Sequence, residues 1–265
     1  MIRYFVYDAE YERDAAGHAL YQAAEGFDPE GIERLRDRDP RIDMRWVFKR
    51  PVAISWLVLE EEGGKLVPGT LHSLGRPELT EQELLTSFFA AVGELPREVP
   101  LVTWGGSSSD EPQLRLAGLR HGLRVPARLM APFQPGKRFG SGHVDLMTHL
   151  CGDAARVHLA EICAALRIPA KTVAPPDATA RLIAQGKWSL VKAICENDTL
   201  STTALLVHAV APNYCAGSLS GTLLGLARAG ARQAHRPYAQ TFEAWAADLV
   251  RQMSLQVLVD LAAFA

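Results

Sequence analysis

The start of the chain places two carboxylates beside a strongly β-forming run. Residues 2–7, IRYFVY, are mostly apolar or aromatic, and Asp8-Ala9-Glu10 follows them directly. Such a run predicts a strand that ends at Asp8 and delivers its acids at the carboxyl edge. Side chains two apart on a strand share a face, so Asp8 and Glu10 would lie side by side. Paired acids suit a divalent cation, but the same pair is also common at solvated strand ends.

The composition is that of an ordinary globular protein. The chain has 265 residues, of which 48% are hydrophobic and 22% charged, with a formal net charge of −2. A chain of this length can bury a core unaided, and its charge gives no global attraction for nucleic acid. No cysteine pair has C-x-x-C spacing, so we interpret the cysteines as reduced thiols of a cytoplasmic protein. The sequence shows no signal peptide and no membrane-spanning run, so no membrane partner is predicted.

Apolar runs and helical periods alternate along the chain. Strands are predicted at 2–7, 52–60, 65–74, 99–104 and 142–147, with the second and third forming a hairpin. Helices are predicted from a Thr80/Glu83 capping box, over 110–121, 158–166 and 177–211, and around 242–257. A polar insertion with one short helix is expected over 12–43. The order predicts an α/β domain at 1–211, with a mixed sheet flanked by helices, and a helical C-terminal extension at 212–265.

Two further acids occupy settings that have both a structural and a chemical interpretation. Asp110 follows an apolar strand and a Gly/Ser loop, and with Pro112 close behind it could simply cap a helix. Asp198 lies inside a long apolar helix, where an exposed polar face would equally explain it. Each signal is weak alone. Their order, a strand pair followed by a loop Asp and a late-helix Asp, is more specific.

That order resembles the DEDD superfamily of 3′–5′ exonucleases, which have an RNase H-like fold. More closely, residues 2–211 resemble the predicted exonuclease family related to the proofreading domain of family-B DNA polymerases. The segments that carry the resemblance are the strand and loop at 101–110, H-V-D-L-M at 143–147, L-A-E-I at 159–162, I-P-A-K at 168–171 and C-E-N-D at 195–198.

The resemblance implies a two-metal site. Asp8, Glu10, Asp110 and Asp198 would hold two Mg²⁺ or Mn²⁺ ions, and the implied reaction is phosphodiester hydrolysis at the 3′ end of single-stranded DNA or RNA. Lys171 stands where related domains place a lysine near the scissile phosphate, although a solvated loop lysine is the alternative. For Asp145 we expect a structural or supporting role rather than direct ligation, with an ordinary strand or loop acid as the alternative.

The chain departs from the family around this set of acids. The position of the motif tyrosine, four residues before Asp198, holds Ile194, and the position used by the histidine-type branch holds Ala193. Neither side chain can orient a water molecule. A group that does so typically increases the reaction rate by about 10²–10⁴-fold. The Asn and Phe usual in the second motif are replaced by Gly105 and Ser109. Losing the Phe would weaken base stacking by ~1–3 kcal/mol per base.

Two hypotheses follow. In the first, the chain is a working exonuclease in which His143 or a mobile tyrosine orients the water. In the second, the fold is retained as a nucleic-acid-binding or scaffold module with little catalysis. The sequence identifies neither the sugar preference nor the oligomeric state.

Two groups of basic residues could meet a substrate strand or simply be solvated. One precedes the second strand and comprises Arg41, Arg45, Trp46, Phe48, Lys49 and Arg50. The other follows Asp110 and comprises Arg115, Arg120, Arg124 and Arg128.

Overall fold

The computed structural model describes residues 2–25, 45–130, 142–175, 178–211 and 218–263. Its strands are β1 Ile2–Arg13, β2 Lys49–Glu62, β3 Lys65–Gly75, β4 Leu101–Thr103 and β5 His143–Asp145. Its helices are α1 Ala15–Glu25, α2 Glu81–Gly93, α3 Asp110–Arg120, α4 Ala127–Met130, α5 Leu146–Cys151, α6 Leu159–Ala165, α7 Ala178–Ala184, α8 Trp188–Val210, α9 Ser218–Ala231 and α10 Ala239–Ala263. Most of the insertion predicted over 12–43, apart from α1, lies outside the described residues, as do Arg41, Asp177, Pro212 and Cys215.

The five strands form one mixed sheet in the order β3-β2-β1-β4-β5. β1 and β2 pair antiparallel, as do β2 and β3, whereas β4 runs parallel to both β1 and β5. Helices cover both faces of this sheet, so the predicted RNase H-like α/β fold with an antiparallel hairpin at its start is confirmed.

The first strand is longer than predicted. β1 continues to Arg13 because β2 pairs with it along its whole length, with Asp8 opposite Ser55 and Glu10 opposite Ala53. On its other side, β4 pairs only with Phe5 and Val6. The prediction that the strand ends at Asp8 was therefore wrong. The two acids lie within β1, just past the point where its parallel neighbour stops, which leaves space beside them.

Two large hydrophobic cores lie on opposite faces of the sheet, and a smaller one joins α7 and α8 to β2. Alternate residues of β1 enter each, with Val6 on one side and Phe5 and Tyr7 on the other, as the pleat requires. The first core packs α8, α9 and α10 against the sheet, and the second packs α2 and α3. The predicted capping box at the start of α2 is confirmed, because the Glu83 amide donates to the Thr80 hydroxyl and the Thr80 amide donates to the Glu83 carboxylate.

The prediction of one continuous helix over 177–211 was wrong. The chain forms two helices, α7 and α8, separated at Gly186. Gly186 has a φ of 66°, and its amide donates to the carbonyl of Ile183 while that of Lys187 donates to Leu182. This left-handed glycine ends α7, since glycine adopts positive φ without steric cost.

The C-terminal helices share the core of the sheet domain. Phe242 and Trp245 of α10 belong to the first core, together with Tyr238 just before the helix. The Tyr238 hydroxyl donates to the buried carboxylate of Glu196 on α8 at 2.7 Å, and Arg236 forms an ion pair with the same group. The proposed domain boundary at 211/212 stays a prediction. Within the described ranges, every helix is too short or too polar to span a membrane.

Candidate active site

Three carboxylates from two elements converge beside the end of β4. Asp8 and Glu10 project from β1, and Asp198 projects from α8, which packs across β1 and β2. One carboxylate oxygen from each of the three residues lies within 4.8 Å of the other two. Asp198 is only 4% exposed, so the alternative of a solvated helix face was wrong for this residue. The arrangement concentrates negative charge in a partly closed space.

Asp110 borders the same space as these three carboxylates. It lines a cleft of about 310 Å³ together with Asp8, Glu10 and Asp198. The helix cap is Ser109, and Asp110 is the first residue of α3, so the alternative of an N-cap role for Asp110 was wrong. The cleft therefore brings all four predicted acids together, with Asp110 set apart from the tight group of three.

The electrostatics of the four acids favour a bound cation. Burial and the charge of Asp198 raise the pKa of Glu10 from 4.5 to about 8, and burial raises that of Asp110 from 3.8 to about 7. Burial also raises the pKa of Asp8, with repulsion from Asp198 adding to it. Among the described residues, Oδ2 of Asp8 and Oδ1 of Asp198 accept no hydrogen bond although both are buried. Buried unpaired carboxylate oxygens are costly, and hard divalent cations are their natural ligands.

Lys171 enters the cleft from the loop after α6. Its ammonium forms an ion pair with Asp198, and its backbone has a φ of 52°. Burial acts to lower the pKa of Lys171, but the charges of Asp198, Glu10 and Asp8 outweigh it and raise the pKa. The side chain is therefore held as a cation within the acid cluster rather than as a solvated loop lysine.

Asp145 supports the loop that carries Asp110. Its Oδ1 accepts hydrogen bonds from the amides of Gly105 at 2.9 Å and Met147 at 3.0 Å, and its Oδ2 accepts from the amide of Ser107 at 3.1 Å. It also caps α5 through Thr148. Asp145 also accepts from the Ser107 hydroxyl, and it is buried and absent from the described lining of the cleft, so it stabilises the site from behind the loop.

His143 is not placed to orient a water at the acids. Its ring contacts the Thr103 hydroxyl at 2.9 Å and the Glu111 carboxylate at 3.2 Å, and it is absent from the described lining of the cleft. Burial lowers its pKa to about 4. Ile194 and Ala193 are likewise core residues, at 4% and 0% exposure.

Sequence reasoning missed the side chains that form the rest of the cleft. Tyr11 lines it directly after Glu10, and its hydroxyl donates to the main-chain oxygen of Asp110 at 3.5 Å. An apolar wall faces it, built from Trp104, Met147, Val157, Leu159 and Ala160, with His158 beside them. The position of Tyr11 next to the acid pair was the available signal. The wall residues come from separate segments and carry no such signal.

Most of the predicted basic residues have other partners. Arg50 forms ion pairs with Asp14 at 3.2 Å and Glu81 at 3.8 Å, and Arg45 stacks over the ring of Tyr21. Arg115 forms an ion pair with Glu111, and Arg120 forms one with Glu81. Arg128 donates hydrogen bonds to main-chain carbonyls. Lys49 differs, because it lines a second pocket next to the cleft.

The sequence was then compared with known families. Residues 43–221 match the family described as a predicted 3′–5′ exonuclease related to the exonuclease domain of PolB. The chain belongs to this family. The matched stretch contains Asp110, Lys171 and Asp198 but begins after Asp8 and Glu10, which the fold brings to the other two acids. No curated protein matches the chain in sequence.

The chain is also similar to solved structures. The family B DNA polymerase of Pyrobaculum calidifontis is similar with a TM-score of 0.50 and 14% identity, over 91% of this chain and 27% of the polymerase. Exonuclease I of E. coli in complex with a dT13 oligonucleotide is similar with a TM-score of 0.35 and 14% identity, over 80% of this chain and 42% of that one. The chain thus spans less than half the length of either, and at these identities the polymerase likeness shows the fold alone.

Proposed function

We propose that this protein is a divalent-metal-dependent 3′–5′ exonuclease that hydrolyses single-stranded nucleic acid from its 3′ end. The observation that carries the proposal is the group of three carboxylates within 4.8 Å, two of whose buried oxygens have no described partner. Membership of the exonuclease family gives the reaction class. We further propose a cytoplasmic location, in keeping with free thiols at Cys151, Cys163 and Cys195.

The proposal assigns Asp8, Glu10, Asp110 and Asp198 as ligands of two Mg²⁺ or Mn²⁺ ions. When bound, such ions supply an activated water and charge stabilisation for the leaving 3′ oxygen. The donor set fits, because all four ligands are hard oxygen donors, and burial together with repulsion from neighbouring carboxylates raises the pKa values of Asp8, Glu10 and Asp110, which a bound cation would oppose.

The protein's own side chains have distinct roles in this proposal. Lys171 offsets the charge of Asp198 and presents a point charge to the phosphate. Tyr11 keeps its proton, because burial raises its pKa, and its hydroxyl serves as a hydrogen-bond donor beside Asp110. The position of the family's stacking Phe holds Ser109. The wall around Trp104 and Met147 therefore contacts a base or sugar instead.

The test is a gel assay of 5′-labelled single-stranded DNA and RNA with Mg²⁺ or Mn²⁺. The expected result is a ladder of 3′-shortened products that Asp8→Ala abolishes. Asp153→Ala serves as the matched control, because Asp153 is exposed and lies outside the cleft. The relative rates on the two strands give the sugar preference. A folded protein that produces no ladder with either metal contradicts the proposal.

A second candidate is a binding module with little catalysis. It is favoured by Ile194, which is buried in the core where the family's motif tyrosine would stand, and by Ser109 in place of the stacking Phe. Binding of labelled oligonucleotide without any shortening, in the presence of either metal, would support it over the exonuclease.

A further inference from the structure

A second pocket adjoins the carboxylate cleft, and we name it the lateral pocket. It has a volume of about 260 Å³ and lies between β1, the start of β2 and α7. Tyr11 lines both this pocket and the cleft that holds the acids. The two spaces therefore adjoin at Tyr11, which lets a single extended ligand reach both.

The polar side of the lateral pocket is cationic. Lys49 and Arg13 line it, and among the described residues neither has a carboxylate within ion-pair distance. Glu12 also lines the pocket, but Arg76 binds its carboxylate at 2.8 Å and offsets its charge. The Arg13 guanidinium contacts the ring of His18 at 3.0 Å. The net charge presented to a ligand is positive.

The α7 side of the pocket is apolar. Ala180, Ile183 and Ala184 line it from α7, and their spacing of three and four residues places them on one helical face. A cationic edge facing a small apolar surface beside a tyrosine suits a nucleotide. Its phosphate would contact the cations, while its base would pack against the apolar face or the ring.

We propose that the lateral pocket binds the nucleotide adjoining the scissile phosphate, with Lys49 contacting its phosphate and the α7 face covering its base. This inference rests on the proposed function, since it takes the carboxylate cleft as the place where the strand is cleaved. It assigns Lys49 a role in holding the strand and none in the chemical step. It also singles Lys49 out from the basic stretch before β2, in which the arginines at 45 and 50 have other contacts.

The experiment measures binding of 5′-fluorescein-labelled dT12 by fluorescence anisotropy, with Ca²⁺ present and over a series of salt concentrations. Lys49→Ala should weaken binding and reduce the slope of log affinity against log salt by about 0.7, the value for one lost phosphate contact on a single strand. Lys65→Ala is the matched control, because Lys65 is exposed at the start of β3 and lines neither pocket. It should leave the slope unchanged.

A second pair of variants tests the apolar face. Ala184→Glu fills the pocket with a negative charge and should weaken binding by about fivefold or more. Gln185→Glu adds the same charge at the next exposed position, outside the pocket lining, and should have little effect. Thermal unfolding of each variant confirms that it is folded.

The outcomes separate this inference from the proposed function. The pocket assignment is overturned if Lys49→Ala and Lys65→Ala give equal salt slopes and if Ala184→Glu and Gln185→Glu bind dT12 with equal affinity. That conclusion stands even if the wild-type protein shortens DNA. A smaller slope of log affinity against log salt for Lys49→Ala than for wild type supports the assignment of the lateral pocket. This holds even if the wild-type protein binds dT12 and never shortens it. A wild-type protein that binds no strand overturns the assignment as well.

Discussion

The ammonium of Lys171 forms an ion pair with the carboxylate of Asp198, from a backbone position whose φ is 52°. A residue with a side chain rarely adopts this left-handed conformation, which costs roughly 1–2 kcal/mol. Strained backbone of this kind concentrates at functional sites. Here it turns the lysine toward the acid cluster.

Replacing Lys171 tests the value of that charge. We expect Lys171→Gln to lower turnover by about 10²-fold, because a positioned positive charge near the phosphate is lost. The metal-free protein should also lose ~1–3 kcal/mol of stability, since the buried Asp198 loses its partner. Steady-state rates and urea unfolding measure the two effects. Lys171→Arg keeps the charge and should retain most of the stability; equal losses in both variants would contradict the ion-pair account.

Asp8→Asn should separate stability from activity. The amide removes one of several repelling charges, so the metal-free protein should become more stable by about 0.5–2 kcal/mol. The same change should abolish shortening of the strand and the rise in melting temperature caused by Mn²⁺. Thermal unfolding with and without metal measures both quantities. A variant less stable than wild type would show that Asp8 is satisfied without a cation.

Stability of the metal-free protein should fall as the pH rises. The pKa of Glu10 is raised from 4.5 to about 8 and that of Asp110 from 3.8 to about 7, so the folded state holds these protons more tightly than the unfolded state. Their contribution is complete below about pH 4 and is lost as the pH rises toward 8. Denaturant unfolding in EDTA should show this decline, and Mg²⁺ should stabilise more at pH 8 than at pH 5. A metal effect independent of pH would contradict the prediction.

Placing the family's tyrosine at position 194 should not provide a group that orients the attacking water. Ile194 is 4% exposed and packs with Val191 and Leu182 between α7 and α8. Ile194→Tyr therefore overfills a packed site, and we expect a loss of ~1–3 kcal/mol without a gain in turnover. Ile194→Val, a smaller change, should cost about 0.5–1.5 kcal/mol. A rise in turnover for the tyrosine variant would show that this side chain can reach the cleft.

Removing residues 212–265 should disrupt the fold. Tyr238, Phe242 and Trp245 belong to the first core, and Glu196 would lose both Tyr238 and Arg236. We expect the truncated chain to unfold without cooperativity or to aggregate, as measured by calorimetry and light scattering. Tyr238→Phe, which removes only the hydroxyl, should cost ~1–3 kcal/mol. A soluble, cooperatively folding product of truncation would indicate a separate C-terminal unit.

Local sequence signals predicted the elements better than their ends. The Thr80/Glu83 pair identified the start of α2 because a capping box is encoded within four residues. The end of β1 could not be predicted in the same way. Residues after Glu10 stay in the strand because β2 pairs with them, and Lys49 opposite Arg13 is thirty-six positions away. Strand length here is a property of the pairing.

The sequence likewise predicted some residues of the candidate site and missed others. Asp8, Glu10, Asp110 and Asp198 could be found from their order and settings, and the fold places them around one cleft. The cleft wall could not be found, because Trp104, Met147 and Leu159 are ordinary apolar residues that meet only after the sheet and helices pack. Their role depends on tertiary contacts that no short motif records.

The hydrogen bonds of Asp145 also bear on how this family can diverge. The loop between β4 and α3 is fixed by a carboxylate on the next strand, through main-chain amides at Gly105 and Ser107. The Ser107 hydroxyl donates to the same carboxylate, but the side chains at positions 105 and 109 take no part in these bonds. The loop can therefore exchange its usual Asn and Phe for Gly105 and Ser109 while Asp110 keeps its position. Side chains at positions 105 and 109 can therefore change during evolution without altering the spacing of the four acids.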